Sequence, residues 1–72
     1  MPIMQKDRET GRYYINSRKY EHIPIEQVAQ EDIKFLQWLF SDINQYSKLD
    51  EEAAIYLEDL LLKNNALPEK FL

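Results

Sequence analysis

The sequence predicts a small α+β domain in which a short N-terminal β-hairpin is followed by a short helix and two longer antiparallel helices. Aromatic and β-branched residues concentrate between Gly11 and Pro24, which favours strands. Apolar residues then recur at helical spacing in residues 32–45 and 50–64. Because strands followed by helices are typical of α+β proteins, the fold class follows from this order. If the hairpin does not form, the same pattern predicts an all-α three-helix fold.

The length of the chain, 72 residues, predicts one domain, close to the lower limit at which a hydrophobic core suffices without metals or disulfides. Hydrophobic residues make up 44% of the chain and charged residues 31%, which indicates a globular protein. Residues 1–10 mix charged and apolar side chains without periodicity, and we interpret them as a flexible arm. Residues 66–72 follow the last predicted helix and are interpreted as a tail.

The hairpin is predicted from residues 12–15, Arg-Tyr-Tyr-Ile, whose aromatic and β-branched side chains favour a short strand. Residues 16–17, Asn-Ser, are typical of turns, and residues 18–23 can return as the second strand. Pro24 ends that strand and suits the first turn of a helix. We expect this short helix to make about two turns and to end near Gln30.

The main helix is predicted over residues 32–45, with the Asp32 carboxylate accepting hydrogen bonds from backbone amides of its first turn. Six apolar side chains share one arc of this helix at 100° per residue: Ile33, Phe35, Leu36, Leu39, Phe40 and Ile43. Burying a Phe or Leu side chain is worth roughly 1.5–3 kcal/mol, so we expect both flanking segments to fold against this arc. Trp38 lies off the arc, on the polar side of the helix.

A third helix is predicted over residues 50–64, with Ser47 or Asp50 as its N-cap. Acidic residues follow at its start and Lys63 lies in its last turn, which is the charge order that the helix dipole favours. Pro68 prevents a simple continuation of the helix.

The charged side of this third helix contains two apolar residues, Ile55 and Leu62, next to Glu58 and Asp59. One interpretation is that the N-terminal arm or residues 71–72 cover them, or that they are isolated surface residues of the ordinary kind. The alternative is a surface for a partner or for self-association, with an apolar centre and an acidic rim.

The residue types needed for most catalytic and cofactor sites are absent. The chain has no cysteine, which excludes disulfides, thiolate metal sites and thiol nucleophiles. His22 is the sole histidine, and we interpret it as an ordinary strand-end or turn residue, with a pH switch as the alternative. A single glycine excludes the Walker phosphate loop and the dinucleotide fingerprint. We therefore predict no enzyme, no cofactor and no metal site, and carboxylate acid–base catalysis is the least favoured hypothesis.

The hydropathy pattern bears on location. No apolar run approaches the roughly 18 residues of a membrane span. The first ten residues, MPIMQKDRET, lack the apolar stretch of a secretory signal. We expect a cytoplasmic protein without membrane partners.

Charge is unevenly distributed, because residues 1–20 carry a net charge of +3 and residues 21–72 a net charge of −7. Either the basic region contacts a partner, or the hairpin and the acidic helices attract one another. Basic and aromatic residues interleave around the hairpin, as they do on surfaces that bind single-stranded nucleic acid. The candidate contact residues are Arg12, Tyr13, Arg18 and Lys19. Since side chains alternate along a strand, core packing of the tyrosines is the alternative.

A motif runs through residues 18–40, RKYEHIPIEQVAQEDIKFLQWLF. Lys19-Tyr20, Asp32 and the run at residues 35–39, FLQWL, match a K-Y…D…Y-L-x-W-[IL] pattern. The segment resembles a small module found as the C-terminal, non-nuclease part of exodeoxyribonuclease X-like proteins and as short free-standing bacterial and phage proteins. The resemblance covers about a third of the chain.

The match departs from the family pattern at four positions. Arg18 and His22 stand where the family has glycine, so a turn with positive φ would have to be remodelled. Glu21 and Ile23 stand at positions that are basic in the family, which removes positive charge from a loop suited to phosphate contacts.

The resemblance implies a fold of hairpin plus helices and an association with DNA-processing proteins. It also implies that Tyr20 and Trp38 pack together between the hairpin and the main helix. Together with the apolar arc, it predicts a set of structural residues: Tyr20, Phe35, Leu36, Trp38 and Leu39.

The function that the sequence favours is a small non-catalytic protein-interaction module, a phage or bacterial accessory factor acting on a nucleic-acid-processing protein. Its candidate contact residues are Ile55, Glu58, Asp59 and Leu62. The alternative is direct binding of DNA or RNA through the basic, aromatic hairpin. A homodimer through the third helix is a further hypothesis.

Overall fold

The computed structural model describes residues 3–68. The elements in chain order are strands β1 (Met4–Lys6) and β2 (Tyr13–Ile15), a 3-10 helix (Arg18–Tyr20), and helices α1 (Ile25–Glu31), α2 (Ile33–Ser41), α3 (Ile43–Tyr46) and α4 (Glu51–Lys63). The two strands form an antiparallel hairpin, and the helices follow it. The predicted α+β class is therefore confirmed.

The hairpin uses a different partner strand from the one predicted. β2 forms where residues 12–15 indicated a strand, but it pairs with β1, so that Gln5 lies opposite Tyr14. The chain turns between Asp7 and Gly11, where the Gly11 amide donates to the Asp7 carbonyl at 2.7 Å and Gly11 has a φ of 72°. This left-handed conformation suits a residue without a Cβ. The interpretation of residues 1–10 as a flexible arm therefore missed β1, which lies within this segment.

The prediction of a second strand at residues 18–23 is wrong, because a 3-10 helix occupies Arg18–Tyr20. A strand would place Tyr20 and His22 on one face, whereas Tyr20 is buried and His22 is exposed. His22 adopts a φ of 67°, a left-handed conformation that is uncommon for a residue with a Cβ. The chain returns to β2 only at an isolated bridge between Tyr14 and Pro24.

The core lies between the hairpin and helices α1, α2 and α4, and the short helix α1 forms as predicted. Its buried members include the structural candidates Tyr20, Leu36 and Leu39, and Phe35 packs at its margin. The buried residues of this cluster are Met4, Tyr13, Ile15, Tyr20, Ile25, Val28, Ala29, Leu36, Leu39, Phe40, Ala53, Leu57 and Leu61. One continuous apolar cluster therefore joins the strands to the helices, as a single domain requires.

The predicted main helix is broken at Asp42, which separates α2 from α3. Asp42 has extended backbone angles, and its carboxylate accepts from the amides of Asn44 at 2.9 Å and Gln45 at 3.3 Å. The break turns Ile43 outward, and its side chain is 58% exposed, so Ile43 does not belong to the buried arc. At the other end of α2, Asp32 makes no capping hydrogen bond through its side chain, contrary to prediction.

Helix α4 begins and ends as predicted. The Asp50 carboxylate accepts from the Ala53 amide at 2.7 Å. At the C-terminus, the Ala66 amide donates to the Leu61 carbonyl at 2.9 Å, and Asn65 has a φ of 54°. This pattern is a Schellman motif, which satisfies carbonyls that the helix leaves free. None of the helices in residues 3–68 is long and apolar enough to cross a membrane.

Candidate interaction surfaces

The exposed side of α4 carries the two anomalous apolar residues of the sequence. Ile55 is 62% exposed and Leu62 is 58% exposed. They lie seven residues apart, which is two helical turns, so they share one side of the helix. We call this side the α4 face and define it by its exposed residues: Glu51, Glu52, Ile55, Glu58, Asp59 and Leu62.

One sequence-based alternative was that the N-terminal arm covers Ile55 and Leu62. Residues 3–10 do not cover them. β1 contacts α4, yet Ile55 stays largely exposed. The other proposed cover, residues 71–72, lies outside the described residues. Within residues 3–68, Ile55 and Leu62 are thus open to a partner.

The opposite side of α4 fixes the orientation of this face. Ala53, Leu57 and Leu61 have no exposed surface and pack into the core. Because a buried leucine is worth roughly 1.5–3 kcal/mol, rotating the helix to hide Ile55 would cost several such contacts. The apolar pair is therefore presented on a rigid support.

The rim of the α4 face is acidic, and two of its carboxylates are paired. Asp59 lies 2.9 Å from the Lys63 ammonium, and Glu52 lies 3.4 Å from that of Lys6. Both pairs are exposed, and such pairs contribute about 0–1 kcal/mol. Within the described part of the chain, Glu51 and Glu58 make no ion pair. The face consequently combines an apolar centre with excess negative charge.

A groove of about 390 Å³ opens beside Ile55, where α4 meets the hairpin. Its aromatic wall is formed by Tyr13 and Tyr56, whose ring centroids lie 4.6 Å apart. Burial raises the pKa of Tyr13, and the nearby carboxylates of Glu52 and Asp50 raise this pKa further. The lining residues are Lys6, Gly11, Tyr13, Glu52, Ile55, Tyr56 and Asp59. The sequence pattern did not indicate this groove, because its two walls come from segments about 40 residues apart.

The nucleic-acid candidates on the hairpin do not form one surface of stacking rings and cations. Tyr13 is only 4% exposed, so its ring is not available to stack on a base. Arg12, Arg18 and Lys19 are exposed. Lys19 is engaged within the molecule, with its ammonium 3.7 Å from a carboxylate oxygen of Asp32. Tyr13 is thus packed into the core, as the core-packing alternative expected, and does not share an exposed surface with these cations.

A second groove, of about 540 Å³, lies on the outer side of the hairpin. It brings Arg18 near Tyr14, which is half-buried, and adds acidic side chains to the same wall. Its lining residues are Asp7, Tyr14, Ile15, Asn16, Ser17, Arg18, Glu21 and His22. His22 lies 3.5 Å from Glu21, with both side chains exposed. Mixed charge makes this groove a weaker anion site than a uniformly basic one.

Tyr20 and Asp32 form a contact that sequence reasoning missed. The Tyr20 hydroxyl donates to the Asp32 carboxylate, and the Lys19 ammonium lies 5.2 Å from the Tyr20 ring centroid. The hydrogen bond from Tyr20 lowers the pKa of Asp32, and the backbone amide of Phe35 and the Lys19 ammonium lower it further. The same hydrogen bond raises the pKa of Tyr20. Asp32 therefore fastens the 3-10 helix to the start of α2.

Tyr20 and Trp38 are arranged around a common neighbour, Phe35. The ring centroid of Phe35 lies 5.0 Å from that of Tyr20 and 5.7 Å from that of Trp38. Trp38 remains 44% exposed, so it closes the outside of this aromatic row. Its place off the apolar arc of the helix is explained by this contact with Phe35.

No set of three or more potential metal-ligating side chains comes together within residues 3–68. Comparisons of the chain with protein-family models, with curated proteins and with solved structures found no match. The α4 face, the adjoining groove and the hairpin groove are thus the features from which a function can be inferred.

Proposed function

We propose that this protein is a small, non-catalytic interaction module that binds a partner protein through the α4 face. The observation that carries the proposal is the exposure of Ile55 and Leu62 on one side of a helix whose other side is buried. Apolar residues two turns apart offer a continuous stripe to a partner. Surface apolar groups that cluster and are rimmed by polar residues are typical of protein interfaces.

The charge of the α4 face favours a protein partner over nucleic acid. Glu51, Glu52, Glu58 and Asp59 surround the apolar pair. Phosphates approaching this surface would be repelled, whereas a protein can present apolar side chains and opposite charge together.

The class of partner is proposed from the sequence. The resemblance of residues 18–40 to the module of exodeoxyribonuclease X-like proteins supports a bacterial or phage accessory factor that acts on a nucleic-acid-processing protein in the cytoplasm. The Tyr20, Phe35 and Trp38 rings that belong to this motif contribute to folding, since Tyr20 is buried and Phe35 contacts both other rings. The motif therefore supports the class of partner, and the α4 face supplies the contact.

The experiment that tests this proposal is affinity capture of the tagged protein from bacterial lysate, treated with nuclease and read by mass spectrometry. The variant Ile55→Ser/Leu62→Ser removes the apolar centre of the face. Ile43→Ser is the matched control, because Ile43 is equally exposed but lies on α3. We expect wild type and control to retain the same protein and the double variant to lose it, with unchanged circular dichroism. Equal capture by all three forms contradicts the proposal.

A second candidate function is binding of single-stranded DNA or RNA along the outer groove of the hairpin. It is favoured by one observation, the position of Arg18 and the half-buried Tyr14 in the same groove. Fluorescence anisotropy with a labelled oligonucleotide at low salt tests it. Binding that weakens steeply with salt and is lost in Arg18→Gln supports this candidate. An unchanged anisotropy removes it.

A further inference from the structure

We infer, on the premise of the proposed function, that the partner segment docked on the α4 face is a cationic amphipathic helix with an arginine that enters the groove beside Ile55. Three features support this: the spacing of the apolar pair, the chemistry of the groove and the charge of its rim. Each of them restricts the partner in a different way.

The spacing of Ile55 and Leu62 selects a helix. A rise of about 1.5 Å per residue separates their Cα atoms by roughly 10 Å along α4. A helix packed alongside presents its own apolar residues at the same interval, with further contacts at i+3 and i+4. An amphipathic helix therefore matches the length and the apolar centre of the face.

The groove beside Ile55 has the chemistry that recognises a guanidinium group. Tyr56, which is half-buried, supplies aromatic surface over the buried Tyr13 ring, and Glu52 and Asp59 supply carboxylates at the rim. A planar guanidinium stacks on aromatic rings and binds carboxylates through two parallel hydrogen bonds. A volume of about 390 Å³ leaves room for a side chain of this size.

The carboxylates of the groove are accessible to an incoming arginine. Their ion-pair partners are lysines, Lys6 for Glu52 and Lys63 for Asp59, and these side chains are at least half exposed. Lysine binds a carboxylate as a point charge, whereas arginine offers a fork of donors. Exposed lysine pairs are also weak, so an arginine can replace them at little cost.

The charge of the α4 face favours a cationic helix over a second copy of the chain or a nucleic acid. A second copy of the chain docked through the same face would bring two acidic rims together, and like charges at an interface oppose association. A nucleic acid would bring phosphates against Glu51 and Glu58, which make no ion pair within the described residues. A cationic helix instead neutralises the carboxylates of Glu51 and Glu58.

A peptide-display selection tests the inference with a library in place of the partner. Helical peptides of about 20 residues, with charge and apolar pattern randomised, are selected on the wild-type protein and counter-selected on Ile55→Ser/Leu62→Ser. We expect enrichment of peptides with arginine next to apolar residues at i, i+3 or i+4, and i+7. Enriched peptides that are neutral or acidic overturn the inference and leave the proposed function standing. The absence of any peptide that depends on Ile55 and Leu62 contradicts both.

An enriched peptide then allows the role of the groove to be measured directly. Titration should give affinity at least tenfold weaker for Glu52→Gln/Asp59→Asn than for wild type, and weaker still as salt is raised. Glu21→Gln/Glu31→Gln is the matched control, since it removes two exposed carboxylates that do not belong to the α4 face and should leave the affinity unchanged. Replacing the peptide arginine with lysine should also weaken binding. Equal affinities for all protein forms would show that the groove takes no arginine.

Discussion

The Tyr20 hydroxyl donates a hydrogen bond to Asp32, and this contact joins the 3-10 helix to the first turn of α2. It lowers the pKa of Asp32 below its ordinary value and raises that of Tyr20. Lys19 adds its positive charge to the same carboxylate. A 3-10 helix of a single turn is thereby held against the core through two side chains.

This contact predicts a dependence of stability on pH in the acid range. Because the folded pKa of Asp32 lies below the unfolded value of 3.8, the stabilisation is present above about pH 4 and is lost as the pH falls through the folded pKa. Tyr20→Phe removes the donor, so we expect it to be less stable than wild type at pH 6. The two proteins should converge as the pH falls below the folded pKa of Asp32. Urea unfolding between pH 2.5 and 7 measures both curves, and parallel curves would contradict the prediction.

In the alkaline range, the tyrosines predict a loss of stability as the pH rises, the opposite direction to that of Asp32. The pKa values of Tyr13 and Tyr20 are raised, the first by burial and the second by the hydrogen bond to Asp32. Their contribution is complete below the unfolded pKa of about 10 and is lost as the pH rises through the folded values. We therefore expect unfolding above pH 10 with coupled tyrosinate absorption. Tyr20→Phe removes one of these groups and should weaken the dependence of stability on pH above pH 10, whereas an unchanged dependence would contradict the prediction.

The fold could be predicted from the sequence where a local pattern and the tertiary packing agree. Helix α4 is such a case, because its N-cap at Asp50, its apolar arc and its terminal asparagines all indicate the same bounds. β2 is another, since its aromatic and β-branched residues face both the core and the groove. In these segments, local propensity is sufficient.

The remaining elements depend on contacts that a linear pattern does not show. β1 has three residues, and only Met4 is buried, so no periodicity is visible. The apolar arc of the main helix continues to Ile43, and the break at Asp42 depends on a single capping side chain. The groove beside Ile55 requires the hairpin to meet α4, a contact between distant segments. Sequence reasoning found Ile55 and Leu62 but not the aromatic groove that adjoins them.

The break between α2 and α3 can be tested at Asp42, whose carboxylate accepts from two backbone amides. Asp42→Ala removes this N-cap, and loss of such a cap costs about 0.5–2 kcal/mol. Asp42→Asn retains an acceptor oxygen and should lose much less. Thermal unfolding followed by circular dichroism distinguishes them. If alanine and asparagine have the same effect, the cap does not stabilise the break.

The C-terminus of α4 is tested at Asn65, which has a φ of 54°. A left-handed conformation costs a residue with a Cβ about 1–2 kcal/mol, and asparagine tolerates it better than alanine does. Asn65→Ala should therefore destabilise the protein by about 1 kcal/mol, whereas Asn65→Gly should leave its stability equal or higher. Chemical denaturation provides the comparison. A destabilising glycine would show that the conformation at this position is not left-handed in solution.

The two sides of α4 lead to opposite expectations for leucines of the same helix. Leu57 has no exposed surface, and Leu62 is 58% exposed. Leu57→Ala opens a cavity in the core, which costs about 2–5 kcal/mol. Leu62→Ala should change the free energy of unfolding by no more than about 0.5 kcal/mol.

Denaturation measures the stability of both variants, and capture of the partner measures their function. A Leu62→Ala variant that unfolds as wild type does but no longer captures the partner shows that this leucine serves binding, because its loss leaves the core intact. Strong destabilisation by Leu62→Ala would instead mean that another part of the chain covers it.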